Sequence, residues 1–373
     1  MRFNRTRLPF TYLINRNRFI SQIVNFGFDL FFSAIRFLSK PFAYKSGNII
    51  VILMHRLGDT IFTIPAVREI QKQYGSRVII FCYPESIPLC NLELDGLKFC
   101  KVLRKEFYFG ERIAKRSAKS RLNNLKPEII FDLTGSMVSA SLIFCSRARQ
   151  IVGINRNQFK SIYNNFVTVR EEPRLLDIYL DAISPLINVS DRTDLNSPKK
   201  LINLNGKILI HPFAGWMEKE WSVKKFVILA EILFKDFDVS LIVQENQFSH
   251  DLINEIKNIG IEVVKTSSVG ELIKAIEECS LFIGNDSGPV NIANFLGKPT
   301  ISIYGSTNPD YTASKAEYQI FIQKVINCSA RKNEKYCTIG AAMYNCPGIE
   351  CMSSLTVDEV YTRVNALANL IFE

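Results

Sequence analysis

Three turns in this chain place reactive side chains where apolar runs end. Arg56-Leu57-Gly58-Asp59-Thr60 follows the run at residues 49–54. Ala214, Gly215 and Lys219 lie in a loop at residues 211–221, after the run at 208–210. Asp286, Ser287, Gly288 and Pro289 follow the run at 281–283 and lead into a stretch holding Asn291. Asp59 has the chemistry of a general base that takes a proton from an attacking hydroxyl; it also suits a helix N-cap. Lys219 can neutralise a departing diphosphate as a compact positive charge, or stand solvated in its loop. Free N–H groups at a helix start after Ser287 attract phosphate, and Gly215 and Gly288 let a ligand approach the backbone closely. Asp286 beside a diphosphate would be repelled, so it reads as a helix cap or as a partner for a sugar hydroxyl. An acid from the first half, with a lysine and an acid from the second, suits group transfer between two substrates.

These turns need rigid strands and helices to hold them. Residues 49–54, 78–82, 129–132 and 151–154 read as buried strands, with helices over 61–74, from the turn at 133–136 to residue 144, and over 174–187. Pro65 either kinks the first helix or marks its true first turn. Residues 101–125 are basic and helix-prone. The polar stretch 188–206 reads as a linker. Strands at 208–210, 239–243, 263–264, 281–283 and 301–304 then alternate with helices, including 250–259, 270–279 and a short one ended by Gly297. A helix over 357–371 closes the chain. The pattern predicts an α/β protein: two Rossmann-like domains with parallel sheets facing each other across a cleft, at residues 48–190 and 205–355, a C-terminal helix at 356–373, and a basic amphipathic N-terminal extension at 1–47. Ligands bind beyond the carboxyl ends of strands in such sheets. Trp216 and Trp221 read as packing residues, and His211 as filling a core position near its strand end.

The 373 residues carry a formal net charge of +10, which suggests an acidic partner such as phosphate, anionic lipid or nucleic acid. Much of the surplus lies in residues 1–48, where eight Arg and Lys stand against Asp29 alone. Ile20, Ile23, Val24, Phe28, Phe31, Ile35 and Leu38 recur there at helical spacing, opposite Ser21, Gln22, Asn25, Asp29 and Arg36. That pattern suits a helix on a membrane interface or one packed on the protein's own body; it is too interrupted for a transmembrane span. Nine cysteines without a cleavable signal argue for a reducing compartment. Cys328, Cys337, Cys346 and Cys351 cluster late in the chain without a C-x-x-C, a weak zinc signal. The Walker and G-x-G-x-x-G fingerprints are missing, and no nucleic-acid-binding motif accompanies the charge.

Taken together, the turns resemble glycosyltransferase family 9, the heptosyltransferases that add ADP-heptose to the lipopolysaccharide inner core. The matching segments are V-I-L-M-H-R-L-G-D-T-I-F-T-I-P-A-V-R at 51–68, I-I-F-D-L-T-G-S at 129–136, I-L-I-H-P-F-A-G-W-M-E-K-E-W-S at 208–222, and F-I-G-N-D-S-G-P-V-N-I-A-N-F-L-G-K-P-T-I-S-I-Y-G-S-T-N-P at 282–309. The resemblance spans roughly residues 48–370. It implies a GT-B fold and an inverting, metal-independent transfer with no cofactor beyond a nucleotide sugar, ADP-linked, as co-substrate. It also implies a lipid-linked oligosaccharide acceptor. By position, Asp59 matches the proposed base and Lys219 the lysine near the donor phosphates. Ala214, Gly215, Asp286, Ser287, Gly288, Pro289 and Asn291 match donor-binding positions, and Arg56, Gly58 and Thr60 lie on the acceptor side. The family has His where this chain has Asn291, and Asn cannot carry a proton or positive charge at neutral pH. The expected place of action is the cytoplasmic, inner face of the inner membrane, with peripheral contact to anionic lipid and no nucleic acid. Two rival readings are a non-catalytic nucleotide-sugar binder on the same fold and a member using another sugar.

Overall fold

Aliphatic runs buried on both faces form the parallel strands of this molecule, the signature of sheets covered on each side by helices. In the computed structural model the described residues are 18–109, 112–155, 160–168, 170, 174–189, 192, 206–244, 247–332, 334–337, 346 and 348–372. The chain divides into two units. One comprises Met1–His55, Thr63–Arg170 and Asp177–Arg192; the other comprises Arg56–Phe62, Glu171–Leu176 and Thr193–Glu373.

The first unit contains β1 (Asn48–Leu53), β2 (Val78–Cys82), β3 (Lys98–Lys101), β4 (Phe107–Tyr108), β5 (Ile113–Ala114), β6 (Pro127–Asp132), β7 (Gln150–Asn155) and β8 (Asn165–Thr168). Six of these make a sheet in the order β3-β2-β1-β6-β7-β8. Every pairing in it is parallel, with Val51 opposite Ile80 and Ile52 opposite Asp132. The second unit contains β9 (Lys207–His211), β10 (Asp238–Gln244), β11 (Glu262–Thr266), β12 (Leu281–Asn285), β13 (Thr300–Tyr304) and β14 (Gln319–Gln323). Its sheet runs β11-β10-β9-β12-β13-β14, again wholly parallel. Each unit therefore has the doubly wound Rossmann order, which reverses beside its first strand. At that reversal the loops leaving neighbouring strands diverge and open a crevice at the carboxyl edge.

Each unit has its own core. Ile50, Ile52, Phe81, Ile130 and Ile151 anchor the first, and Phe32 from the N-terminal helix Arg18–Ser39 joins them. Ile210, Trp221, Phe226, Ile283 and Ile303 anchor the second. The closing helix Val357–Phe372 buries Val360, Val364, Leu367 and Ile371 in that same core.

The structure corrects the sequence-based expectations at three places. The helix expected from residue 61 is Leu57–Tyr74 with Pro65 inside it, and Thr60 N–H already bonds Arg56 O at 3.0 Å. The basic stretch 101–125 contains the β4–β5 ribbon before a shorter helix, Arg116–Asn124. There Phe107 and Ala114 turn into the core while Tyr108 faces out, a strand alternation. β3, β8 and β14 have no counterpart in the expected strands. The expected linker at 188–206 lies almost wholly outside the described residues, as do residues 1–17 of the extension.

Candidate active site

The carboxyl edge of the second sheet gathers most of the polar chemistry. β9 ends at His211 and β12 at Asn285, the neighbours at which the strand order reverses. Asn285 ties the loops that leave them: its Oδ1 accepts from Trp221 N–H at 2.9 Å, and its Nδ2 donates to Pro212 O at 2.8 Å. Trp221 is buried, edge-on to Phe226 at 4.8 Å, and donates Nε1–H to Leu355 O at 2.9 Å. Ala214 N–H donates to Glu220 Oε1 at 3.1 Å, which folds the loop back on itself. The loop is thus fixed at both ends, and Lys219 leaves it from a short 3₁₀ turn, Met217–Lys219.

Lys219 is ion-paired with Asp286, and its Nζ also donates to Asp286 O at 3.2 Å. The Asp286 side chain is 3% exposed and that of Lys219 12%. Thr307 Oγ1 donates to Asp286 Oδ2 at 2.6 Å, and Trp216 sets its ring 4.4 Å from Lys219 Nζ. Neither bland alternative fits these positions: Asp286 is no helix cap, because Lys219 and Thr307 hold its carboxylate, and Lys219 is no solvated loop lysine. Asp286 acts instead as the positioning partner of the ammonium.

The helix Gly288–Phe295 starts directly after this pair, with Ser287 in extended conformation at its cap position and Pro289 in its first turn. Ser287 makes no side-chain cap bond. Its Oγ, Asn291 Oδ1 and Ser306 Oγ are buried without a hydrogen-bond partner among the described residues. Unsatisfied buried acceptors and hydroxyls are costly unless something else meets them. Gly297 (φ +74°) ends the helix, a left-handed residue that glycine adopts without strain.

Asp59 sits in the first turn of the helix Leu57–Tyr74 and not at its cap, and it is half-buried. Around it, Arg56 is exposed, while Thr60 is fully buried with its hydroxyl on Arg56 O at 3.0 Å. Thr60 therefore braces the helix start from inside. Segment Arg56–Phe62 belongs to the second unit, and the reason is close backbone approach. A Cβ on Gly288 would lie 3.2 Å from Leu57 Cβ and 3.3 Å from Gly58 N. A Cβ on Gly58 would lie 2.9 Å from Asn291 Nδ2, and one on Gly215 would lie 3.3 Å from an Arg56 guanidinium nitrogen. The structure thus brings Arg56 to Gly215, Gly58 to Gly288 and Asn291, and Lys219 to Asp286.

Ser306, Thr307 and Asn285 carry no role in the sequence reading, although each lies inside the segment 282–309. Their hydroxyl and amide chemistry beside Asp286 was the available signal. His211 is buried, and desolvation pushes its pKa down to about 4 against backbone hydrogen bonds that raise it. Cys337 and Cys351 are buried, Cys328 and Cys346 half-buried. No three His, Cys, Asp or Glu side chains among the described residues are grouped to hold a metal ion.

The sequence profile of glycosyltransferase family 9 (heptosyltransferase) matches residues 116–341. The chain belongs to that family. It is a glycosyltransferase. Its relatives include lipopolysaccharide heptosyltransferase 1 of Campylobacter coli, 25% identical over 315 residues that cover 75% of this chain and 89% of that protein. Lipopolysaccharide heptosyltransferase 3 of Escherichia coli is 23% identical, over 67% of this chain and 81% of that one. Among solved structures, E. coli ADP-heptose lps heptosyltransferase II superposes with a TM-score of 0.63 at 18% identity, covering 87% of this chain and 99% of that one. The family 9 glycosyltransferase of Veillonella parvula superposes at 0.64 and 15% identity, covering 87% and 98%. These likenesses give this family 9 member the two-sheet GT-B fold.

Proposed function

We propose that this glycosyltransferase moves heptose from ADP-heptose onto a lipopolysaccharide core or related glycolipid, with inversion and without a metal. The observation that carries this reading is the pinned Lys219–Asp286 pair beside a helix start with unpartnered Ser287 and Asn291 atoms. A diphosphate set at the free N–H groups after Ser287 would meet the positive end of that helix, with Lys219 held beside it by Asp286. Ala214, Gly215 and Pro289 frame that position. Asp59 takes the proton of the acceptor hydroxyl, whose oxygen then attacks the anomeric carbon. As that bond forms, the bond from the anomeric carbon to the diphosphate oxygen breaks, and ADP leaves with its charge held by Lys219. Arg56 and Gly58, on the same turn as Asp59, contact the acceptor. The relatives' names carry the substrate class: one solved relative is E. coli heptosyltransferase WaaC with ADP-2-deoxy-2-fluoro heptose. With a nucleotide-sugar donor and a lipid-linked acceptor, the reaction would run at the cytoplasmic face of the inner membrane.

Asn291 supports a second reading of the donor, in which the same chemistry uses a different sugar. It fills the place where the family resemblance puts histidine, and its Oδ1 stands ready to accept a hydrogen bond. Transfer assays with ADP-, UDP- and GDP-sugars, on core glycolipid lacking its outer sugars, test both readings. Turnover with ADP-heptose alone is expected. Turnover with another nucleotide sugar and none with ADP-heptose would replace the donor, and binding without turnover for every donor would remove the transferase reading.

A further inference from the structure

The helix Arg18–Ser39 is folded with its polar side against the protein. Asp29 Oδ1 accepts from Ser161 N–H at 3.3 Å and from Ser161 Oγ–H at 3.0 Å. Arg36 donates to Ser146 O and Ala148 O at 3.3 Å and to Asn164 Oδ1 at 3.1 Å. Phe32 lies between these anchors and packs on Phe144, ring centroids 5.3 Å apart. The opposite arc is apolar and open: Phe26, Leu30, Phe31, Phe37, Leu38 and, in the turn beyond, Phe42 are each 53% to 70% exposed. Gly27, Ser33 and Ala34 fill the gaps between them, so an arc of roughly 140° carries no charge at 3.6 residues per turn. A helix packing for its own stability would do the reverse, burying the large apolar side chains and leaving Asp and Arg in water.

The rim of this arc is basic. Lys40 Nζ lies 6.0 Å from the Phe37 ring, and Lys119 Nζ lies 4.6 Å from the ring of Phe144, which itself stacks on Phe31 at 6.0 Å. Residues 1–17, which precede the helix, add Arg2, Arg5, Arg7 and Arg16 and no acid. No helix among the described residues is long and apolar enough to cross a membrane. We infer that this face docks flat on an anionic lipid bilayer, Phe and Leu side chains entering the acyl boundary while Lys40 and Lys119 meet the phosphates. The inference deepens the reading of a lipid-linked acceptor and rests on it for its purpose: the catalytic chain would be held where that acceptor is anchored.

The test uses the full chain and extruded vesicles, phosphatidylethanolamine with phosphatidylglycerol against phosphatidylcholine alone, in a flotation assay. Wild type should float with the anionic vesicles and much less with the neutral ones. Phe26→Ser/Leu30→Ser/Phe37→Ser should weaken that binding by at least ~100-fold, since three large apolar side chains lose their burial. Its circular dichroism should be unchanged, because Asp29, Phe32 and Arg36 still hold the helix. Lys40→Glu/Lys119→Glu should weaken binding mainly at low salt. Val325→Ser, at an exposed apolar residue of the second unit, should bind like wild type. Equal flotation of the triple variant would overturn the inference. So would a wild-type dimer in light scattering that the triple variant dissolves without any vesicle binding, which would assign the face to a second copy. Transfer to a delipidated core oligosaccharide separates the two readings: the triple variant should retain it, and its absence in wild type would count against the transferase reading alone.

Discussion

Replacing Lys219 by Met should destabilise the second unit far more than loss of an ordinary surface charge. Exposed ion pairs contribute about 0.2–1 kcal/mol, whereas removing one partner of a buried pair costs about 3–5 kcal/mol. With side chains only 3% and 12% exposed, Asp286 and Lys219 fall in the second regime. In Lys219→Met the Asp286 carboxylate keeps Thr307 as its side-chain donor but loses its counter-charge, so a loss of ~3 kcal/mol is expected. Asp286→Asn should cost less, about 1–2 kcal/mol, because Lys219 retains the residue 286 carbonyl and the Trp216 ring. The double variant should cost less than the sum by ~1–3 kcal/mol, since neither charge is then left alone. Urea unfolding followed by tryptophan fluorescence measures this directly, because both Trp residues, 216 and 221, lie in the second unit. Single effects that add within ~0.5 kcal/mol, or a Lys219→Met loss below ~1 kcal/mol, would refute the claim that the pair is buried and coupled.

Thr307→Val removes the second donor to Asp286; it should cost ~1–3 kcal/mol in the same unfolding assay. Trp221→Phe removes the indole donor to Leu355 O, which keeps Lys225 Nζ at 2.7 Å, and should cost ~0.5–1.5 kcal/mol, and Trp221→Ala more, about 3–5 kcal/mol. His211 has a folded pKa of about 4, below its ordinary value. Its contribution is therefore full above pH ~6.5 and is lost as pH falls toward 4, up to ~3 kcal/mol. Wild type should lose that much more stability than His211→Gln between pH 7 and pH 4; parallel pH profiles would show that His211 is not buried neutral.

The central strands were legible because both faces are buried: residues 49–53, 78–82 and 281–283 are uninterrupted apolar runs. β3, β8 and β14 were not, because edge strands with one neighbour carry mixed polarity, as in Lys98–Lys101 and Asn165–Thr168. The helix start at Leu57 was hidden by Gly58, which reads as turn but is needed for its close approach to Gly288 and Asn291. Motif order singled out Asp59, Lys219 and the turn at 286–289 as candidates. The pairing of Lys219 with Asp286 joins residues 67 apart, and no local periodicity encodes it. The N-terminal helix shows the same limit. Its amphipathic pattern was visible, but that its charged side faces the protein depends on Ser161, Asn164 and the carbonyls of 146 and 148, far along the chain.

In the proposed reaction Asp59 supplies the base while the Lys219–Asp286 edge holds the nucleotide. Asp59→Ala, assayed for transfer from ADP-heptose to core glycolipid and for ADP-heptose binding by calorimetry, tests it most directly. Transfer should fall by at least ~100-fold with donor affinity nearly unchanged. Full transfer by Asp59→Ala, or loss of donor binding in that variant, would contradict it.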